Sequence, residues 1–153
     1  MSRFNDGLKT SLSDSWTTPR STYDVLDREF RFTLDAAALQ ASTLVPENWY
    51  GPDHPEPSRQ DALTRSWLDD CKGGTVWLNP PYGRAIKSFM AKANQEAQGG
   101  VQVVALVPAR TDTQWWWDSV IHHEVRFIKG RLKFGNQTNS APFPSAIVVM
   151  RMI

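Results

Sequence analysis

Thr75-Val76-Trp77-Leu78-Asn79-Pro80-Pro81-Tyr82-Gly83 is the stretch on which the reading of this chain turns. Val76 to Leu78 is a short apolar run that reads as a buried strand. Two consecutive prolines stop it, because neither has an N–H to donate and both have a fixed φ. The rigid Asn-Pro-Pro-Tyr turn that follows puts an amide, an exposed carbonyl and an aromatic ring at the carboxyl edge of a sheet. Open α/β sheets bind their ligands at that edge.

The surrounding segments supply such a sheet. Thr18 is placed to cap a helix and Pro19 suits its first turn, with Tyr23, Leu26 and Phe30 following at helical spacing. Phe30 to Leu34 alternates apolar and polar residues, which predicts a strand, and Asp35-Ala36-Ala37-Ala38 ends it in a sharp polar step. Ala38 to Leu44 is a helix candidate, Trp49-Tyr50-Gly51 a short strand, and Pro52 to Ser58 a proline-rich loop. Asp61 to Leu63, then Trp67-Leu68, read as helical turns. Ile86, Phe89, Met90, Ala93 and Ala97 define an amphipathic helix closed by Gly99-Gly100. Val101 to Val107 is the most apolar strand, ended by Pro108, and a helix is expected from Thr111 to His122. Glu124 to Ile128 and Arg131 to Phe134 flank Lys129-Gly130 as a hairpin candidate, and Ala146 to Met152 is a final strand. Strands alternating with helices, then hairpin-like strands, predict a doubly wound α/β sheet with an antiparallel hairpin edge.

With 153 residues the chain is expected to form one domain, residues 16–153, behind a polar N-terminus expected to fray over residues 1–15. Hydrophobic residues at 41% and charged residues at 22% fit a globular protein, and no run approaches the roughly 20 apolar residues of a membrane span. The N-terminus lacks a signal-peptide core. A lone Cys71 excludes an internal disulfide and a cysteine-based metal site, which fits a reducing cytoplasm and predicts no metal. The net charge of +1 conceals two poles. Glu47 to Asp70 holds six acids against Arg59 and Arg65, whereas Arg126, Lys129, Arg131 and Lys133 form a run with no acid. A polyanion would meet the chain on the second side.

The turn at Asn79 suits an exocyclic amine on a planar base. Such an amine is a poor nucleophile because its lone pair is delocalised into the ring. Two acceptors, the Asn79 side-chain oxygen and the Pro80 carbonyl, would each take one N–H bond and draw the nitrogen towards a tetrahedral state. The lone pair is then free for in-line attack on an activated methyl group, by positioning and electrostatics alone. Pro81 stiffens the turn, and Tyr82 offers a face for stacking, worth about 1–3 kcal/mol per base. A stiff surface turn with no chemistry is the alternative.

At the level of whole segments the chain resembles the phage-type DNA N6-adenine methyltransferases, the small Dam-like family. The matching segments are Trp16-Thr17-Thr18-Pro19, Phe32 to Ala37, Asp61-Ala62-Leu63, Val76 to Gly83, Leu106 to Thr113, Arg126 to Phe134 and Ala141 to Ser145. The resemblance implies a Rossmann-like methyltransferase fold, S-adenosylmethionine as methyl donor and a phage or prophage protein of the bacterial cytoplasm. It implies donor contacts from Trp16, Thr17, Thr18 and Pro19, from Asp35, Ala36 and Ala37, from Asp61 and Ala62, and from Asn79. Asp35-Ala36-Ala37-Ala38 stands where a Gly-rich motif is usual; small residues still permit close approach, and the acid suits the donor's cationic methionyl end. Asp35 is equally a helix N-cap, Asp61 a solvated loop charge, and Thr17-Thr18-Pro19 a capping segment. Glu47 and Asp53 are the candidates for the ribose hydroxyls.

The implied partner is double-stranded DNA. Adenine N6 is unreachable inside a duplex, so the base must be flipped out. Arg110 would meet phosphate, or else pair with Asp112. Lys129, Arg131 and Lys133 would present a basic hairpin face to the backbone, or else a merely solvated one. Phe143, between Pro142 and Pro144, would stack on the flipped base opposite Tyr82. Of Trp115, Trp116 and Trp117, at least one is expected in the core and one exposed, because helix neighbours lie about 100° apart. With no room for a separate target-recognition domain, recognition falls to the loops and hairpin, to a homodimer, or to a second subunit. The other readings are the same chemistry on RNA adenine or protein glutamine, and a non-catalytic DNA-binding relative.

Overall fold

In the computed structural model, which describes residues 16–153, the strands form one five-stranded mixed sheet. The described elements run α1 (Arg20–Phe30), β1 (Phe32–Asp35), two 3-10 turns (Pro57–Arg59 and Ala62–Thr64), α2 (Trp67–Asp70), β2 (Thr75–Leu78), α3 (Ile86–Gln98), β3 (Gln102–Pro108), α4 (Gln114–Ser119), β4 (Glu124–Phe127) and β5 (Ser145–Met150). The spatial order is β1-β2-β3-β5-β4, with β1, β2 and β3 parallel and β5 antiparallel to both β3 and β4. The parallel strands β2 and β3 are almost wholly apolar because helices and loops cover both of their faces. Asp35 lies opposite Trp77 and Leu78 opposite Ala105, so the carboxyl ends of β1, β2 and β3 open on the same edge.

The helix α1 buries Tyr23, Leu26 and Phe30, and its end is turned by Arg31 at φ 60°. Its packing brings the Tyr23 ring against Phe32 and Trp77. In α3, Ile86, Met90, Ala93 and Ala97 are buried, and Gly100 at φ +107° makes the turn into β3, a conformation that a side chain would strain. Trp115 and Trp116 are buried, while Trp117 is 57% exposed.

Five sequence expectations change. Thr18 does not cap α1: the N-cap is Pro19, one residue before the helix, and no side chain closes the helix start. The Thr18 hydroxyl is engaged instead by Asn79. Ala38 to Leu44 forms turns, because the Leu44 N–H and the Thr43 hydroxyl bond the Asp35 carboxylate in place of helical carbonyls. Trp49 makes only a single bridge to Asp35. The helix expected from Thr111 to His122 shortens to Gln114–Ser119, since Thr111 to Thr113 folds into a turn with Thr113 Oγ1 bonded to the Arg110 carbonyl.

The last change concerns the hairpin. Arg131 to Phe134 is not a strand; β4 pairs with β5, whose six residues are all buried. An apolar strand able to pair on both sides outcompetes a basic one for β4. The antiparallel edge therefore exists, but it is β4 with β5, joined by a long excursion through residues 128–144. The alternation over Arg131, Leu132, Lys133 and Phe134 survives without a ladder: the two bases are exposed and Phe134 is buried. The fraying expected for residues 1–15 lies outside the described residues.

Candidate active site

At the carboxyl edge a cavity of about 230 Å³ lies between the loop after β1, the Tyr50-Gly51-Pro52 turn, the Asp61 segment and the start of α3. Ala36, Ala37 and Ala38 form one wall, Asp61 and Ala62 another, and Asn79 and Pro81 the floor. A smaller cavity of about 40 Å³ adjoins it, lined by Trp16, Thr17, Thr18 and Asp35 and sharing Ala37, Ala38, Leu39 and Asn79 with the first. The fold thus brings Trp16, Thr17, Thr18, Asp35, Ala36, Ala37, Asp61, Ala62 and Asn79 to two spaces that share lining residues. Small side chains, apolar Leu39 and Phe89, and one acid at the rim suit a ligand with a planar base and polar ends.

Glu47 and Asp53 are not brought to this cavity. Glu47 lines a separate polar groove with Arg59 and Lys72, and the Asp53 carboxylate accepts from the Gln40 N–H at 3.0 Å. Asp61 is exposed at the cavity rim and caps the Ala62–Thr64 turn by accepting from the Leu63 N–H at 3.0 Å. The capping and lining roles coexist.

Asp35 is buried, and its two oxygens accept from Ala37 N–H (3.4 Å), Leu44 N–H (3.0 Å) and the Thr43 hydroxyl (3.1 Å). Burial raises its pKa to about 6, against the opposing pull of those three bonds. No helix follows it, so it caps the 36–44 loop that walls the cavity.

Asn79 has a specific environment. Its Nδ2 donates to the Trp16 carbonyl and, at 2.9 Å, to the Thr18 hydroxyl, while its Oδ1 is buried without a hydrogen-bond partner. A buried acceptor left unpaired costs about 1–3 kcal/mol, a cost that functional sites are known to carry.

Tyr82 is 2% exposed; its hydroxyl donates to the Leu106 carbonyl at 3.2 Å, and burial raises its pKa far above the usual range. Its ring faces Trp16 at 6.2 Å and 21°, and meets Phe143 edge-on at 5.6 Å and Phe134 at 6.2 Å. Tyr82 and Phe143 are neighbours, as expected, but they touch without space for a ring between them. Trp16, in contact with Tyr82, Phe134 and Phe143, completes a four-ring cluster beside Asn79.

Arg110 does not pair with Asp112; its guanidinium lies 5.7 Å over the Phe143 ring. Lys129, Arg131 and Lys133 are exposed on the 128–144 excursion, which also carries Phe134 and Phe143. Arg126 drops out of the basic run, because it grips Glu29 through two 2.8 Å bonds and also bonds Glu124. Among the described residues no group of three or more His, Cys, Asp or Glu is placed to hold a metal, and no helix is long and apolar enough to cross a membrane.

Sequence reasoning missed Leu39, Tyr50, Gly51, Gln60 and Phe89 as cavity residues. Gly51 packs too closely for a side chain, since a Cβ there would sit 1.8 Å from the Ala38 carbonyl oxygen. Phe89 falls in the apolar register of its helix, and only packing turns it to the cavity.

Residues 6–152 match the protein family described as DNA N-6-adenine-methyltransferase (Dam). The chain belongs to this family. It is also similar to a DNA N-6-adenine-methyltransferase of Escherichia phage T1, with 32% identity over 110 residues that cover 71% of this chain and 42% of the relative. The chain therefore spans about two-fifths of the length of that relative. Of the Asn-Pro-Pro-Tyr turn, Asn79 and Pro81 line the cavity, while Tyr82 packs in the ring cluster beside it.

Proposed function

We propose that this chain is an S-adenosylmethionine-dependent methyltransferase of Rossmann-like type that methylates the N6 amino group of adenine in DNA. The observation that carries the proposal is the Asn79 amide, its nitrogen doubly engaged and its oxygen buried and unpartnered. An orphaned acceptor on a rigid strand-end turn is what an amine with N–H groups to donate would satisfy.

The donor would occupy the cavity walled by Ala36, Ala37, Asp61 and Ala62, with the Trp16-Thr17-Thr18-Pro19 segment beside its polar end. Small residues there permit close backbone approach, and Asp61 suits an amino group at the rim. When bound, the donor supplies a methyl group on a sulfonium, which needs no further activation. Asn79 Oδ1 and the Pro80 carbonyl accept the two N–H bonds of the amine, localise its lone pair and orient it for attack. The methylated nitrogen loses its proton to solvent, and the Pro80-Pro81 backbone holds the geometry.

The base must leave the duplex to reach this floor. Tyr82 and Phe143 would stack on it once these two rings part, with Trp16 left in place, while Arg110, Lys129, Arg131 and Lys133 hold the phosphates. Those exposed bases favour a nucleic acid over a protein glutamine as acceptor.

The test is incubation of the chain with labelled donor and DNA, RNA or protein, followed by identification of the modified group. N6-methyladenine from DNA is expected; label in RNA or glutamine would redirect the acceptor assignment. Asn79→Ala should abolish transfer while the fold and donor binding persist, and near-normal turnover in that variant would overturn the mechanism.

A further inference from the structure

The mechanism needs Asn79 to present its oxygen, not its nitrogen, to the amine. The two ends of a carboxamide are nearly equal in shape, and rotation about the terminal torsion exchanges them. An amide presenting its NH2 would face the amine donor to donor and hold nothing in place. Something must select one orientation.

The segment before α1 supplies both an orientation-selecting group, the Trp16 carbonyl, and a holding group, the Thr18 hydroxyl. The Trp16 carbonyl and the Thr18 hydroxyl both receive Asn79 Nδ2, and Thr18 is itself buried. A main-chain carbonyl only accepts, so the exchanged amide would set oxygen against oxygen. Thr18 closes no helix, which leaves its hydroxyl with Asn79 as its one hydrogen-bond partner among the described residues. The segment is also held from outside: the Thr17 N–H donates to Asn136 Oδ1 at 3.0 Å, and the Gly135 N–H donates to the Thr17 carbonyl at 2.9 Å. The Trp16 ring, seated among Tyr82, Phe134 and Phe143, fixes the carbonyl that follows.

We propose that Thr18, together with the Trp16 carbonyl, is a positioning residue that locks the Asn79 amide with Oδ1 towards the amine. This role rests on the methyl-transfer reading above and differs from donor binding, the role that family resemblance implies for the same segment. It requires the hydroxyl oxygen and not merely the volume of the side chain.

The experiment compares Thr18→Val, which keeps the shape and removes the acceptor, with Thr18→Ser, which keeps the acceptor. Turnover is measured on duplex DNA at saturating S-adenosylmethionine, and affinity for S-adenosylhomocysteine by calorimetry. Thr18→Val should lower kcat by about three- to tenfold, the rate equivalent of one neutral hydrogen bond. Thr18→Ser should restore kcat, and in Thr18→Val the loss in kcat should exceed any loss in affinity for S-adenosylhomocysteine. Normal kcat in Thr18→Val overturns the proposal. So does a loss confined to S-adenosylhomocysteine affinity, which would make Thr18 a donor contact, or a Thr18→Ser variant as slow as Thr18→Val. Should Thr18→Val fail to fold by circular dichroism, Thr18→Ala takes the same readings in its place. Asn79→Ala separates the two levels: if it is inactive while Thr18→Val is normal, only the positioning role falls, whereas an active Asn79→Ala removes the methyl-transfer reading itself.

Discussion

Replacing Asp35 by Asn should change how the stability of this protein depends on pH. The carboxyl is 3% exposed and its pKa rises from 3.8 to about 6, chiefly through burial. The folded state therefore binds this proton more tightly than the unfolded chain does. Between about pH 4 and pH 6 the folded state holds the extra proton, so this group's contribution is full below the unfolded value and is lost as pH rises through 6. A gap of roughly two units, net of the three hydrogen bonds that oppose the burial, corresponds to about 3 kcal/mol. Asn does not titrate, so the stability of wild type minus that of Asp35→Asn should rise by up to about 3 kcal/mol on going from pH 7 to pH 4. Other carboxylates titrate equally in both proteins and cancel. Urea denaturation followed by tryptophan fluorescence at pH 4, 5.5 and 7 measures the difference. A difference that is flat with pH, or that grows towards pH 7, would refute a buried, proton-favouring Asp35.

Three other outcomes are expected. Gly51→Ala drives a methyl group into the Ala38 carbonyl, so it should destabilise the fold by at least about 1–3 kcal/mol in thermal unfolding and weaken donor binding by distorting the cavity wall. Charge reversal of Lys129, Arg131 and Lys133 together should weaken DNA binding and flatten the dependence of log K on log salt by about 0.9 for each phosphate no longer neutralised. An unchanged salt slope in a binding titration would remove the excursion from the interface. Phe143→Ala should depress methylation of duplex DNA and leave donor affinity intact; it also empties part of the aromatic cluster, so a lower melting temperature is expected beside the kinetic loss.

Much of this protein is decided locally and so could be read from the chain. Val76 to Leu78 and Val103 to Val107 are continuous apolar runs, and such runs have few ways to bury themselves other than as inner strands. The prolines after Leu78 stop β2 regardless of its neighbours, which places Asn79 at the sheet edge from sequence alone. The small residues after Asp35 and the spacing of α3 are local in the same sense.

What the sequence could not determine depended on competition between distant groups. Arg131 to Phe134 has a strand pattern, yet β4 is claimed by β5, which offers more apolar surface. Ala38 to Leu44 has helical composition, yet the Thr43 hydroxyl and Leu44 N–H go to the Asp35 carboxylate, eight and nine residues upstream. Thr18 looks like a cap in its own segment, and only the approach of Asn79, 61 positions away, takes its hydroxyl. Local propensity differences are small, a few tenths to about one kcal/mol per residue, so one buried hydrogen bond or a covered strand outweighs them. The Asn-Pro-Pro-Tyr turn was therefore legible as a rigid strand end at the sheet edge from its own residues. Which atom of Asn79 is held and which is left waiting was decided only when the chain folded back upon it.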